Sequence, residues 1–186
     1  MQQVSIQYYS SPCGEIILAS VDDELCLCDW NEMPCSERNK LRLSRYMKAE
    51  FKIETSPILE LAKKQLNEYF TGSRRTFDIP LHPIGTDFQK SVWSILCTIP
   101  YGKTMTYGQI AAQLAAEQGI TRMSAQAIGG AVGHNPLSII VPCHRVVGAN
   151  GSLTGYGGGI DRKLKLLTLE GVDMSRLFMP KKGTAL

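Results

Sequence analysis

The chain has 186 residues, 44% of them hydrophobic and 20% charged, the composition of an ordinary globular protein of one domain or two small ones. Charges or Gly/Pro interrupt every apolar run well short of the roughly 20 residues a membrane span needs. The N-terminus MQQVSIQYYS lacks the basic and apolar regions of a signal peptide, so a cytoplasmic protein with no membrane partner is expected. The net charge of +3 is uneven: residues 1–86 carry 10 Lys/Arg against 12 Asp/Glu and residues 87–186 carry 10 against 5, which permits a polyanionic partner without demanding one.

In chain order, VSIQYY (4–9), EIILAS (15–20) and ELCLCDW (24–30) are β-rich and separated by turn signals, the pattern of an antiparallel meander. Residues 31–56 are polar and assign no element. SPILELAKKQLNEYF (56–70) predicts a helix: Ser56 caps it, Pro57 suits its first turn, apolar residues recur at helical spacing, and Gly72 stops it. A short strand over TFDIPL and a linker at 82–85 follow. TDFQKSVWSILCTI (86–99) predicts a second helix. Thr106 with Gln109 forms a capping box that opens a third. A fourth, roughly 122–133, completes a helix-turn-helix spacing, although a plain αα-hairpin used for packing reads the same. LSIIVP (137–142) reads as an apolar strand, VVGANGSLTGY as a hairpin turning at Asn150-Gly151, and DRKLKLLTLEG (161–171) as a last helix capped by Asp161. Residues 173–186 read as a mobile tail.

Six cysteines in a chain this long, with no export signal, are expected to be free thiols. Five of them read as inert filler. Cys143 differs, because it sits with His144 and Arg145 between an apolar run and a glycine-rich loop. A cysteine attacks as its thiolate and needs a base nearby. Adjacent side chains of a strand point to opposite faces, so His144 serves Cys143 only if Pro142 ends the strand or a water bridges the two. Cys26-x-Cys28 and the three scattered histidines lack zinc spacing.

GHNPLSIIVPCHRVVG, GSLTGYGGG and KLLTLEG, preceded by TDFQKSVW, IPYGKTMTYGQIAAQLA and AIGGAVGHNP, closely resemble the methylated-DNA–protein-cysteine methyltransferases, also called O6-alkylguanine-DNA alkyltransferases. The PCHRV pentapeptide (142–146) is highly specific, and the match covers essentially all of 86–171. The resemblance implies an α+β protein. A ribonuclease-H-like α/β domain spans 1–82, and a mainly helical domain with a winged-helix-like helix-turn-helix spans 86–171.

It also implies direct-reversal repair. Cys143 takes the alkyl group from O6 of guanine, and by analogy from O4-methylthymine. His144 removes the thiol proton through a water, and Glu170 orients His144. Asn135 braces the preceding turn, and Tyr107 helps rotate the nucleotide and protonates the leaving guanine. Tyr156, Gly157 and Gly158 wall the base pocket, and Arg145 braces the loop. The product thioether is stable, so the protein acts once, as a monomer and with no cofactor. The flipped-out base implies a double-stranded DNA partner read through its minor groove by the second helix of the motif, where Ala127, Gly130 and Ala131 allow close approach. The chain departs from the family twice. Gln126 stands where an arginine fills the gap left by the flipped base, with Arg122 four residues earlier expected on the same helical face. Some members carry a zinc site; here Val21 stands where a cysteine ligand would be and Cys13 takes an apolar residue's place in the SPCG turn, so no zinc is expected. A non-catalytic lesion-binding relative is the alternative, but such proteins lack the cysteine.

Overall fold

The computed structural model describes residues 3–48 and 50–180. The chain divides into two compact units: residues up to Ile84 together with Pro136–Ile140, and Gly85–Asn135 together with the chain from Val141 onward.

In the first unit, β1 (Gln3–Ser11), β2 (Gly14–Val21) and β3 (Glu24–Trp30) form the expected antiparallel meander. The segment without an assignment contains α1 (Pro34–Met47) and β4 (Glu50–Ile53). β4 pairs parallel to β1 and completes a four-stranded sheet of order β3-β2-β1-β4. α1 escapes sequence reading because it is mostly polar; it buries chiefly Cys35, Ser36, Asn39 and Leu43. Ile17, Ala19 and Val21 pack with Leu43 on one sheet face. α2 (Pro57–Phe70) packs on the sheet too, where Ser20 and its cap Ser56 share a 2.8 Å hydrogen bond and the Tyr9 hydroxyl donates to Asn67. Helices on both faces explain why β2 and β3 are buried almost without alternation.

The outer edge of β3 is covered by chain that pairs only briefly. Leu25 bridges Leu81, and Cys28 bridges Leu137. TFDIPL is therefore not a strand beyond Leu81. Pro80 has no N–H for a ladder, and Gln65 holds Asp78 by its backbone instead. LSIIVP is not a strand either. Leu137 makes one bridge, Ser138 donates to the buried Asp29, and Ile139 adopts φ +72°. That backbone region is costly for a β-branched residue and breaks any ladder.

In the second unit, α3 (Asp87–Cys97) and α4 (Tyr107–Glu117) both begin at capping boxes, Thr86/Gln89 and Thr106/Gln109. The indole N–H of Trp93 on α3 donates to the Ala131 carbonyl of α5 (Ala125–Gly133) at 2.9 Å. α5 starts at its cap Ser124, later than expected, so Arg122 lies in the connection and not on a helical face shared with Gln126. The expected 146–156 hairpin is absent. β5 (Met105–Thr106) instead pairs parallel with β6 (Val146–Val147), and a tight loop follows. α6 (Ile160–Leu169) is preceded by Gly159 without a side-chain cap; Asp161 lies inside its first turn. Residues 173–178, read from sequence as part of a loose tail, carry a short 3-10 turn and backbone hydrogen bonds to residues 151–153, while the remainder beyond residue 180 lies outside the described residues. No helix among the described residues is long and apolar enough to cross a membrane.

Candidate active site

Pro142 ends the apolar run, and Cys143–Arg145 form one 3-10 turn stapled by a hydrogen bond from the Val146 N–H to the Cys143 carbonyl. The turn removes the strand geometry that would have set Cys143 and His144 on opposite faces. Cys143 is only 6% exposed. Asn135, just after α5, donates its side-chain amide to the Val141 carbonyl at 2.8 Å and to the Cys143 sulfur at 3.1 Å. One amide thus fixes the approach to the turn and places an N–H on the sulfur.

His144 is fully buried. Its Nε2 lies 2.8 Å from Glu170, the C-cap of α6, while its Nδ1 has no hydrogen-bond partner among the described residues. Glu170 also accepts from Arg145 through Nε (2.8 Å) and Nη2 (2.9 Å), and from the Gly102 N–H (3.3 Å). Burial pushes its carboxyl up, but the hydrogen bonds and charges of His144 and Arg145 outweigh this and bring it to about 2. An ionised Glu170 accepts, so Nε2 carries the proton and Nδ1 presents its lone pair. Burial pushes the His144 pKa below its ordinary value against the pull of Glu170, which keeps the imidazole neutral. Gly102 (φ +75°) is required beside this carboxylate, since a Cβ there would sit 2.8 Å from the Glu170 carbonyl oxygen. Arg145, expected among the DNA- or base-binding residues, is buried and donates through Nη1 to the Ile99 carbonyl at 2.6 Å.

Tyr107 opens α4, and its hydroxyl lies 3.3 Å from the Thr154 carbonyl and 3.4 Å from that of Gly155. Burial first, then the nearby Cys143, push its phenol up to about 12. Tyr107 lines a pocket of about 440 Å³ with Gln126, Gly129, Ala149, Thr154 and Gly155. Cys143 is not in this wall, and neither are Tyr156, Gly157 and Gly158. Tyr156 is buried, and the Gly158 carbonyl accepts from Arg162.

Sequence reading missed Lys163. It is fully buried on α6 and donates its ammonium to the Val146 and Thr154 carbonyls. Burial pulls it down to about 8, and Cys143 opposes this. A lysine at helical spacing reads as solvated surface; only the chain folding back over it makes it internal.

On α5, Gln126 and Ala127 are exposed, and a Cβ on Gly130 would meet open space. Ala131 faces the core at 3% exposure and so leaves the expected contact surface. Arg122 and Gln126 both line a second, larger recess between α4 and the start of α5. Among the described residues no three His, Cys, Asp or Glu side chains group as a metal site would need.

Comparison with known proteins identifies this arrangement. Residues 4–83 match the 6-O-methylguanine DNA methyltransferase ribonuclease-like domain, and residues 87–172 the DNA binding domain of the same proteins. The methylated-DNA–protein-cysteine methyltransferase of Methanosarcina acetivorans is 42% identical over 170 residues, covering 88% of this chain and 96% of that one. The chain belongs to the methylated-DNA–protein-cysteine methyltransferase family. The Mycobacterium tuberculosis member is 58% identical over 109 residues, 59% of this chain; there the chain spans 63% of the relative's length. The crystal structure of M. tuberculosis O6-methylguanine methyltransferase superposes with a TM-score of 0.73 at 41% identity over 96% of each chain. The M. tuberculosis protein in complex with DNA does so with a TM-score of 0.73 over 94% of each. The α+β fold, with an N-terminal sheet unit and a helical C-terminal unit, is thus that of the methyltransferase family.

Proposed function

We propose that this protein repairs double-stranded DNA by moving the alkyl group of O6-alkylguanine onto Cys143, once and irreversibly. The observation that carries the reading is His144: its Nε2 is held by the ionised Glu170 while its Nδ1 is buried and unpartnered beside Cys143 in the chain. A neutral imidazole fixed in this tautomer takes the thiol proton through a water, with Glu170 as orienter. The Cys143 thiolate attacks the alkyl carbon, the C–S bond forms, and the C–O6 bond breaks with its electron pair moving to guanine. The Asn135 amide donates to the sulfur throughout. Tyr107 gives its proton to the leaving guanine; a phenol held near 12 keeps that proton until a strong base develops. The chain is its own acceptor, so no cofactor is needed.

The target atom lies inside the duplex, so the nucleotide is flipped out. The pocket beside Tyr107 receives the base, and α5 lies in the minor groove with Gln126 and Ala127 toward DNA. Residues 1–82 act as the ribonuclease-H-like domain and residues 86–171 as the domain that binds DNA and accepts the alkyl group. A lesion-binding protein without chemistry is disfavoured, because it has no use for a thiol with a donor on its sulfur and a fixed base next to it.

The test is transfer of labelled methyl from O6-methylguanine duplex DNA to protein. Wild type takes the label, Cys143→Ser takes none while still binding DNA, and His144→Ala slows transfer by about 10²–10⁴. Label retained on Cys143→Ser defeats the proposal.

A further inference from the structure

The rim of the pocket beside Tyr107 is hydrogen-bonded from two sides. Residues 148–155 contribute Ala149, Thr154 and Gly155 to its wall, and the Thr154 carbonyl lies within reach of both the Tyr107 hydroxyl and Lys163. Within the loop, the Gly148 N–H donates to the Ser152 carbonyl, the Gly151 N–H to the Gly148 carbonyl and the Ser152 N–H to the Asn150 side-chain oxygen. The outer side is held by the chain beyond α6. The Leu153 N–H donates to the Phe178 carbonyl at 3.0 Å, and the Phe178 N–H donates to the Gly151 carbonyl at 3.2 Å. Ser152 and Phe178 form a parallel bridge.

This last segment is itself fixed. Asp173 caps a 3-10 turn, Met174–Arg176, by accepting from the Ser175 N–H. Met174 and Leu177 pack onto Val147, Leu153 and Leu167. Gly151 admits the close approach. At φ +87° it brings the loop so near that a Cβ would lie 2.0 Å from the Arg176 carbonyl oxygen, so no other residue fits there with the segment in place.

We infer that residues 174–178 are a positioning strap that holds the pocket rim in the conformation that admits the alkylated base. The inference rests on the repair reading above for its substrate. Lys163 grips the Thr154 carbonyl from inside and the strap grips Gly151–Leu153 from outside. With the strap removed, the Leu153 N–H and the Gly151 carbonyl lose their partners, and base binding has to order the rim itself. That cost falls on substrate capture and not on Cys143, which is fixed by Asn135 and its own turn.

Three variants test it: a chain ending after Asp173, Gly151→Ala in the full chain, and both changes together. The readouts are label transfer against DNA concentration, alkylation of Cys143 by iodoacetamide, and hydrogen exchange at the Leu153 amide. The truncation and Gly151→Ala are each expected to raise the half-saturating DNA concentration about tenfold, the cost of ordering one or two residues. Each should leave Cys143 alkylation no slower and speed Leu153 exchange. The double change should be no worse than the truncation, since the clash needs the strap. Wild-type half-saturation in the truncated chain overturns the strap, as do alkylation falling in step with transfer and losses that multiply. Leu153 exchange decides the strap alone: equal protection in all chains defeats it even if transfer proceeds, and a wild type that takes no label defeats the repair reading while leaving this measurement to stand.

Discussion

At Cys143 the neighbours in sequence become useful only because the backbone turns. PCHRV was legible as a reactive cluster, but its geometry was not, since an apolar run before a proline reads as a strand. The positive φ of Ile139 and the 3-10 turn at 143–145 depend on contacts made elsewhere in the chain and leave no local pattern. Glu170, Arg145 and Asn135 were named by resemblance; the ion pair of Arg145 with Glu170 and the Asn135 bond to the Cys143 sulfur appear only in three dimensions. The pH dependence belongs to this scale. His144 is held below its ordinary value of 6.5, so the neutral base persists at and somewhat below that pH. The decline of the transfer rate on acidification should be centred below pH 6.5; a decline centred above pH 6.5 contradicts the assignment. Stability follows the same sign. Glu170 is depressed to about 2 from an ordinary 4.5, so its contribution is complete above pH 4.5 and is lost as pH falls toward 2. Denaturant titrations should show that Glu170→Gln removes this window and lowers stability at pH 7.

Among elements, those with local signals were legible. The meander, α2, and the capping box of α4 are written in turn residues and caps within a few positions. Elements fixed by distant partners were not. α1 is too polar to show a periodic face, β4 exists because β1 is there to pair with, and β5–β6 is a parallel pair of two residues each. α5 carries the sharpest departure from expectation, because Arg122 precedes the helix and cannot reinforce Gln126 from the same face. Under the repair reading, Gln126 is the exposed polar side chain of α5 proposed for the gap left by a flipped base, with hydrogen bonding but no charge. Gln126→Arg is expected to speed transfer from duplex DNA more than transfer from free O6-alkylguanine. If Gln126→Arg and Gln126→Ala both leave the duplex rate alone, α5 has no such finger.

For the whole molecule, charge and composition bounded the answer without choosing it. A basic second half allowed a polyanion, and the match of residues 87–172 to a DNA binding domain gives that charge a use. The 82–85 linker is legible in the sequence as the HPIG break between two stretches of different pattern. The return of Pro136–Ile140 to the first unit is not, because it rests on single bridges to β3. The central claim is that one thiol takes one alkyl group and keeps it. Peptide mass mapping after reaction with excess O6-methylguanine DNA measures this directly. One methyl group per chain, on the peptide bearing Cys143, with repair stopping at one equivalent, is the expected result. Methyl on another cysteine, or more than one lesion repaired per chain, would contradict it.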